Sequence, residues 1–144
     1  MGKSFDTDNF LQTQELAINF LRDIKKRDKA LVLALQGDLG GGKTTFTKGL
    51  AKACQVKEEI TSPTFVIFNR YKAFHKFKNF YHFDCYRLNG SKDVIDLGFK
   101  EIISNPDNIV IVEWAEIIKE ILPKDSIFIN FIFVSENKRK IEIS

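Results

Sequence analysis

Cysteine, proline and long apolar runs are all scarce in this chain of 144 residues, and each shortage excludes something. The two cysteines, Cys54 and Cys85, form neither a disulfide framework nor a metal-type spacing. Two free thiols fit a reducing, cytoplasmic setting. No apolar stretch approaches the roughly 18 residues of a membrane helix, so no membrane association is expected. The start, Met1-Gly2-Lys3-Ser4-Phe5-Asp6, lacks the apolar centre of a signal peptide, and Asp6 breaks the myristoylation pattern. Neither sign of charge dominates: 22 Lys and Arg against 19 Asp and Glu leave +3, too little to require nucleic acid as a partner. The three prolines, Pro63, Pro106 and Pro123, fall between periodic segments rather than inside them. No repeat, linker or low-complexity tract appears, so a single domain over residues 1–144 is expected, with 44% apolar residues to build its core.

What the chain does have is glycine in one place. Gly37-Asp38-Leu39-Gly40-Gly41-Gly42-Lys43-Thr44-Thr45 follows the apolar run Ala30–Leu35 and opens a segment with helical spacing. Gly37, Gly42, Lys43 and Thr44 match the G-x-x-x-x-G-K-[ST] phosphate loop. Glycines there let successive backbone N–H groups turn toward phosphate oxygens where a Cβ would collide. The following helix adds its positive end. In such a loop the lysine, Lys43, reaches the β- and γ-phosphates, and the hydroxyl of Thr44 holds Mg²⁺. A plain glycine-rich turn is the alternative; the strand before and helix after favour the phosphate loop.

Four further stretches carry chemistry beside it. Thr61-Ser62-Pro63-Thr64 is either a polar turn or a loop that senses the γ-phosphate or metal. His82-Phe83-Asp84-Cys85-Tyr86-Arg87 ends a strand, with His82, Asp84 and Tyr86 on one face and Phe83 and Cys85 on the other. Asp84 is a candidate metal or water-positioning carboxylate, or else a turn partner of Arg87. His82 lacks a second ligand at metal spacing and reads as a hydrogen-bonded structural histidine. Ile109-Val110-Ile111-Val112-Glu113-Trp114 has the Walker B form, in which a buried strand delivers a carboxylate toward Mg²⁺. Asn69–Asn79 interleaves Arg70, Lys72, His75, Lys76 and Lys78 with Tyr71, Phe74 and Phe77. That pattern suits RNA contact by charge and stacking, or an exposed β-hairpin.

Periodicity supplies the frame. Thr13 is placed to cap a helix with Leu16, Ala17, Phe20, Leu21 and Ile24 as its apolar stripe, ending in the basic turn Lys25–Lys29. Ala30–Leu35 reads as a strand covered on both faces, followed by a helix with Phe46, Leu50, Ala53 and Cys54 inward. Phe65–Phe68 and Phe80–Cys85 read as short strands. Ser91 is placed to cap a short helix stopped by Gly98, with a second turn over Phe99–Ser104. Ala115–Leu122 reads as helix. Ser126–Val134 and Lys138–Ile143 read as a hairpin added antiparallel at the sheet edge, and residues 1–12 predict no element. The fold class expected is α/β: a three-layer, P-loop NTPase-like arrangement with a mixed, mainly parallel central sheet, helices on both faces and an antiparallel C-terminal hairpin.

These motifs, taken in order with Leu97-Gly98, resemble the TsaE (YjeE) family of small bacterial ATPases from about Thr13 to the C-terminus. The resemblance implies an ATP- and Mg²⁺-dependent hydrolase of low turnover. It implies a role as accessory factor to the TsaB–TsaD transferase, which forms N6-threonylcarbamoyladenosine at position 37 of tRNAs reading codons that begin with A; tRNA itself would be met indirectly or weakly. It assigns catalytic roles to Lys43, Asp84 and Glu113, phosphate contacts to Gly37–Thr45, and Mg²⁺ to Thr44 and Glu113. Ser62-Pro63-Thr64 would act as a switch-like loop, and Thr13 and Arg139 lie where the family approaches the adenine. Gly41 stands where alanine is usual and Cys85 where leucine is usual. A small-molecule kinase would need an arginine-rich lid, and the arginines after the loop, Arg70, Arg87 and Arg139, are scattered.

Overall fold

A strand covered on both faces has no polar side to alternate with, and the run from Ala30 to Leu35 has none. It forms the centre of the sheet. The computed structural model describes residues 2–38, 42–63 and 66–144. In chain order the elements are β1 (Lys3–Thr7), α1 (Phe10–Asp23), β2 (Leu31–Gly37), α2 (Lys43–Ala53), β3 (Phe68–Lys72), β4 (Asn79–Asp84), α3 (Lys92–Ile95), α4 (Phe99–Ser104) and β5 (Asn108–Glu113). A 3-10 segment over Ala115–Ile121, broken at Ile118, precedes β6 (Ile127–Phe133) and β7 (Arg139–Ile143). The seven strands lie in the order β1-β7-β6-β2-β5-β4-β3. The middle four, β6, β2, β5 and β4, are mutually parallel, and β1, β7 and β3 are antiparallel additions.

Alternation along β2 and β5 divides the core in two. Leu31, Leu33, Leu35, Ile109 and Ile111 face α1 and α2, where they meet Ala17, Leu21, Phe46 and Leu50. Val32, Ala34, Val110 and Val112 face the opposite way onto Val94, Phe99, Ala115 and Ile118 from α3, α4 and the 3-10 segment. The result is the three-layer α/β architecture with helices on both faces. Helices α1 and α2 cross so closely at Gly49 that a Cβ there would lie 2.6 Å from the Gln14 carbonyl oxygen and 2.8 Å from the Ala17 Cβ. Cys54 and Cys85 are free and buried on opposite faces of the sheet. Among the described residues, no helix is long and apolar enough to cross a membrane.

Several boundaries differ from the sequence expectation, each for a local physical reason. The cap of α1 is Asn9, not Thr13: Asn9 Oδ1 accepts from Gln12 N at 2.9 Å, and Gln12 Oε1 accepts from Asp8 N at 2.7 Å. This reciprocal pair satisfies two amides at the helix start, in the manner of a capping box. Thr13 lies one turn inside, buried, with its hydroxyl 2.8 Å from that of Thr7. Residues Lys3–Thr7, with no strand pattern of their own, pair along β7 from Lys3↔Ile143 to Thr7↔Arg139. The C-terminal hairpin is therefore not the sheet edge, because β6 joins β2 and β1 covers β7.

Strand β3 runs over Phe68–Lys72 rather than Phe65–Phe68, and Phe65 lies outside the described residues. Pairing with β4 in this register stacks Phe68 on Phe83 at 4.8 Å and sets Tyr71 edge-on to Phe80 at 6.2 Å. Asn69–Asn79 thus takes hairpin form, half strand and half turn. Ser91 makes no capping bond to α3; its hydroxyl instead donates to the Glu120 carboxylate. Ala115–Leu122 tightens to 3-10 geometry instead of a regular α-helix.

Candidate functional site

In a sheet with parallel central strands, the crevice beyond the strands' carboxyl ends is where side chains from different strands converge. Here β2 ends at Gly37, β4 at Asp84 and β5 at Glu113. Gly37 has φ of 121°, and a Cβ there would lie 2.2 Å from the Phe131 carbonyl oxygen, so only glycine lets β2 turn while paired to β6. The turn is tied down by Asp38, whose N–H donates to Phe131 O at 3.0 Å and whose Oδ2 accepts from Phe133 N at 3.2 Å. Leu39, Gly40 and Gly41, expected phosphate contacts, lie outside the described residues. Beyond them Gly42, left-handed, starts α2, and among the described residues no side chain caps its first turn. The amides of that turn and the helix dipole are left to act on whatever enters the cleft.

The cleft has a volume of about 490 Å³, within the range of small-molecule sites. Gly42, Lys43, Thr44 and Thr45 form its floor, and Asp84, Tyr86, Glu113 and Trp114 one wall. Thr13 and Phe10 from α1, with Glu136, Asn137 and Arg139 from the β6–β7 turn, form the other. Lys43 is buried. Its Nζ donates to the carbonyls of Gly37 at 3.0 Å and Asp38 at 2.9 Å and sits 4.5 Å from the Trp114 ring centre. Burial pushes its pKa below the usual lysine value, partly countered by Glu113, Glu116, Asp38 and Asp84. Trp114 adopts a left-handed backbone (φ 58°, ψ 42°) that costs a non-glycine residue about 1–3 kcal/mol. That conformation turns its ring over Lys43 and against Tyr86, whose ring centre is 5.1 Å away.

The two carboxylates stand side by side, because Asp84 and Glu113 are register partners on β4 and β5. Glu113 Oε1 accepts from Thr44 Oγ1 at 3.2 Å, while Oε2 is hydrogen-bonded to His82 Nε2. Asp84 is half-buried, and its Oδ1 accepts from Tyr86 N at 3.1 Å. Burial raises its pKa; the Tyr86 bond lowers it, the Glu113 charge raises it, and His82 and Arg87 lower it. Arg139 Nη1 donates to the carbonyls of Ser135 at 2.6 Å, Glu136 at 3.1 Å and Lys138 at 3.0 Å, so its charge braces the hairpin turn at the cleft rim.

Of the residues singled out by sequence, the fold brings Thr13, Gly42, Lys43, Thr44, Thr45, Ser62, Asp84, Tyr86, Glu113, Trp114 and Arg139 to this one cleft; Lys43 ties Gly37 and Asp38 to it through their carbonyls, and Thr64 lies outside the described residues. Sequence reading missed Phe10, Glu136 and Asn137 on the opposite wall, which no local pattern marks. It also left His82 apart from Glu113, though the two lie on adjacent strands. The donor set suits a phosphate and a hard cation. A buried lysine and free helix amides face the same space as a hydroxyl and a carboxylate oxygen 3.2 Å apart. Among the described residues no group of three or more His, Cys, Asp and Glu could cage a metal. Mg²⁺ bound beside phosphates keeps several waters and needs only one or two protein oxygens, which Thr44 and Glu113 offer.

Comparison with known proteins gives this arrangement a family. The family model described as "Threonylcarbamoyl adenosine biosynthesis protein TsaE" matches residues 7–141. The chain is 37% identical to the tRNA threonylcarbamoyladenosine biosynthesis protein TsaE of Rickettsia prowazekii, an alignment covering 89% of this chain and 85% of that protein. It is 35% identical to the protein of the same name from Treponema pallidum, over 81% of this chain and 84% of the other. A crystal structure of Bacillus subtilis YdiB superposes with a TM-score of 0.77 at 31% identity, covering 99% of this chain and 84% of that one. The chain belongs to the TsaE family, whose role is in the biosynthesis of threonylcarbamoyladenosine in tRNA.

Proposed function

We propose that the protein is a Mg²⁺-dependent ATP hydrolase acting as accessory factor to TsaB and TsaD in forming N6-threonylcarbamoyladenosine on tRNAs that read codons beginning with A. The observation that carries this reading is the convergence of Lys43, Thr44, Asp84 and Glu113 on one cleft at the carboxyl ends of three parallel strands. In it, Lys43 leaves the carbonyls of Gly37 and Asp38 for the β- and γ-phosphate oxygens, which hold a cation more strongly than neutral carbonyls do. Thr44 and Glu113 would hold Mg²⁺, which would supply positive charge beside the transferring phosphoryl group. Asp84, beside Glu113 and with a pKa raised chiefly by burial, orients the attacking water and is better matched to accept its proton than an exposed aspartate would be. Arg139 braces the hairpin turn at the cleft rim through three carbonyls, on the side where the adenine would lie, and turnover in the isolated chain is expected to be low.

The partnership with TsaB and TsaD, and a cytoplasmic location, rest on the family's part in tRNA modification and on the sequence resemblance. Two measurements test the reading. Lys43→Ala should abolish ATP binding and hydrolysis, and unchanged turnover would sink the mechanism. In the wild type, ATP should bring the chain into a complex with TsaB and TsaD on co-purification, with the modified adenosine lost from tRNA when the chain is removed.

A further inference from the structure

We propose that His82 is a positioning residue that holds the Glu113 carboxylate in its metal-binding orientation, an inference that rests on the nucleotide-hydrolysis reading above. The parallel register of β4 and β5 sets His82 beside Ile111, two residues before Asp84↔Glu113. His82 is fully buried and Glu113 is 4% exposed, so the two groups meet behind the cleft wall that Glu113 lines, shielded from bulk water. The imidazole takes one carboxylate oxygen and Thr44 takes the other: Nε2 bonds Oε2, while Oε1 faces the Thr44 hydroxyl at 3.2 Å. A carboxylate gripped this way has one oxygen fixed within the protein and one turned to the site where Thr44 would share a cation.

The ring's other nitrogen decides the direction of the bond. Nδ1 is buried and meets no hydrogen-bond partner among the described residues. A neutral imidazole has one N–H and one bare nitrogen. Placing the proton on Nε2 gives Glu113 a donor and leaves at Nδ1 only an unused lone pair. The opposite tautomer would set a bare nitrogen against a carboxylate and strand a buried N–H as well. A histidine serving only for packing would be replaceable by an apolar ring of the kind Phe80 and Phe83 place elsewhere on the same strand. What phenylalanine cannot supply at this position is the donor to Oε2. Hydrogen-bond partners of metal-ligating groups typically tune metal affinity by tenfold to a hundredfold.

The test uses the full chain with His82→Phe, His82→Gln and His82→Asn. Nucleotide binding is followed by calorimetry, and by the fluorescence of Trp114, the single tryptophan, over a Mg²⁺ titration and in excess chelator. His82→Phe should raise the Mg²⁺ concentration needed for half-maximal effect by about 10–100-fold while chelator-only affinity stays within about twofold. His82→Gln places an amide N–H near the position of Nε2 and should restore most of the Mg²⁺ response; His82→Asn, one bond shorter, should not. Should the phenylalanine variant fail to fold, the comparison of Gln with Asn carries the same decision. An unchanged Mg²⁺ requirement, an equal loss with and without Mg²⁺, or Gln and Asn behaving alike would overturn the proposal. A wild type with no Mg²⁺-dependent nucleotide binding would instead overturn the functional reading on which it stands.

Discussion

Replacing Gly37 by alanine tests whether the phosphate loop is spelled for its ligand alone or also for the sheet beneath it. The added Cβ would lie 2.2 Å from Phe131 O and 2.8 Å from Phe131 N, both backbone atoms of a paired strand. Ordinary contact requires roughly another 1 Å, so β6 or the loop must shift. Alanine must also hold φ near 121°, where an L-residue is strained by about 1–3 kcal/mol. Overpacking against rigid backbone adds a similar amount, giving an expected loss of about 2–6 kcal/mol. For a domain of this size that is a fall in melting temperature of about 8–24 °C.

The same shift disturbs the Asp38 bonds to Phe131 and Phe133 and the Gly37 carbonyl that anchors Lys43, so nucleotide affinity should fall together with stability. Thermal melts and calorimetric titration with MgATP measure the two losses. Gly90→Ala is the control: its Cβ would meet nothing within 4 Å, and its stability should stay within about 0.5 kcal/mol of wild type. If Gly37→Ala melts with the wild type and binds nucleotide as well, the argument that the sheet dictates this glycine is wrong.

Asp84→Asn should lose hydrolysis by a larger factor than it loses ATP affinity, read from a rate assay beside calorimetry; equal losses would make Asp84 a binding group. Because the folded carboxyl of Asp84 has a raised pKa, its contribution to stability is present at low pH and is lost as pH rises through that folded value. Without nucleotide, the asparagine variant should therefore melt above wild type at neutral pH, with the gap closing below about pH 4, as melts at both pH values would reveal. Asn9→Ala removes the cap of α1 and should cost about 1 kcal/mol in a denaturant titration, whereas no loss would return the helix start to Thr13. Burial pushes the thiols of Cys54 and Cys85 up to about 12, so near pH 8 roughly one in ten thousand is ionised. Alkylation should accordingly proceed at the unfolding rate, and rapid labelling of native protein would contradict the burial of both side chains.

The half of the cleft built from Lys43, Thr44, Asp84 and Glu113 was legible from the chain because its residues sit at ends of strongly patterned elements. Ala30–Leu35 and Ile109–Val112 are buried on both faces and announce themselves by composition, so Gly37 and Glu113 at their carboxyl ends could be placed before any contact was known. Lys43 and Thr44 follow because a glycine loop between such a strand and a helix has few other uses. Of the opposite wall only Thr13 and Arg139 were legible, and those through the family resemblance rather than any local pattern. Phe10, Glu136 and Asn137 come from α1 and the β6–β7 turn, brought to the cleft by packing of α1 on α2 and by pairing of β7 with β1.

Local pattern and short-range chemistry along the chain reach only so far. They cover the buried strands, the glycine loop with its lysine and threonine, and the acid at the end of β5. Tertiary structure decided the rest, because those choices are settled by energies shared between distant segments. Lys3–Thr7 has no strand character until β7 supplies hydrogen-bond partners, and β3 takes the register that stacks Phe68 on Phe83. His82 and Glu113, 31 residues apart, become one unit only when β4 lies parallel to β5. Trp114 comes to lie over Lys43 only when the chain accepts a strained backbone after β5, and no pattern along the chain records that strain.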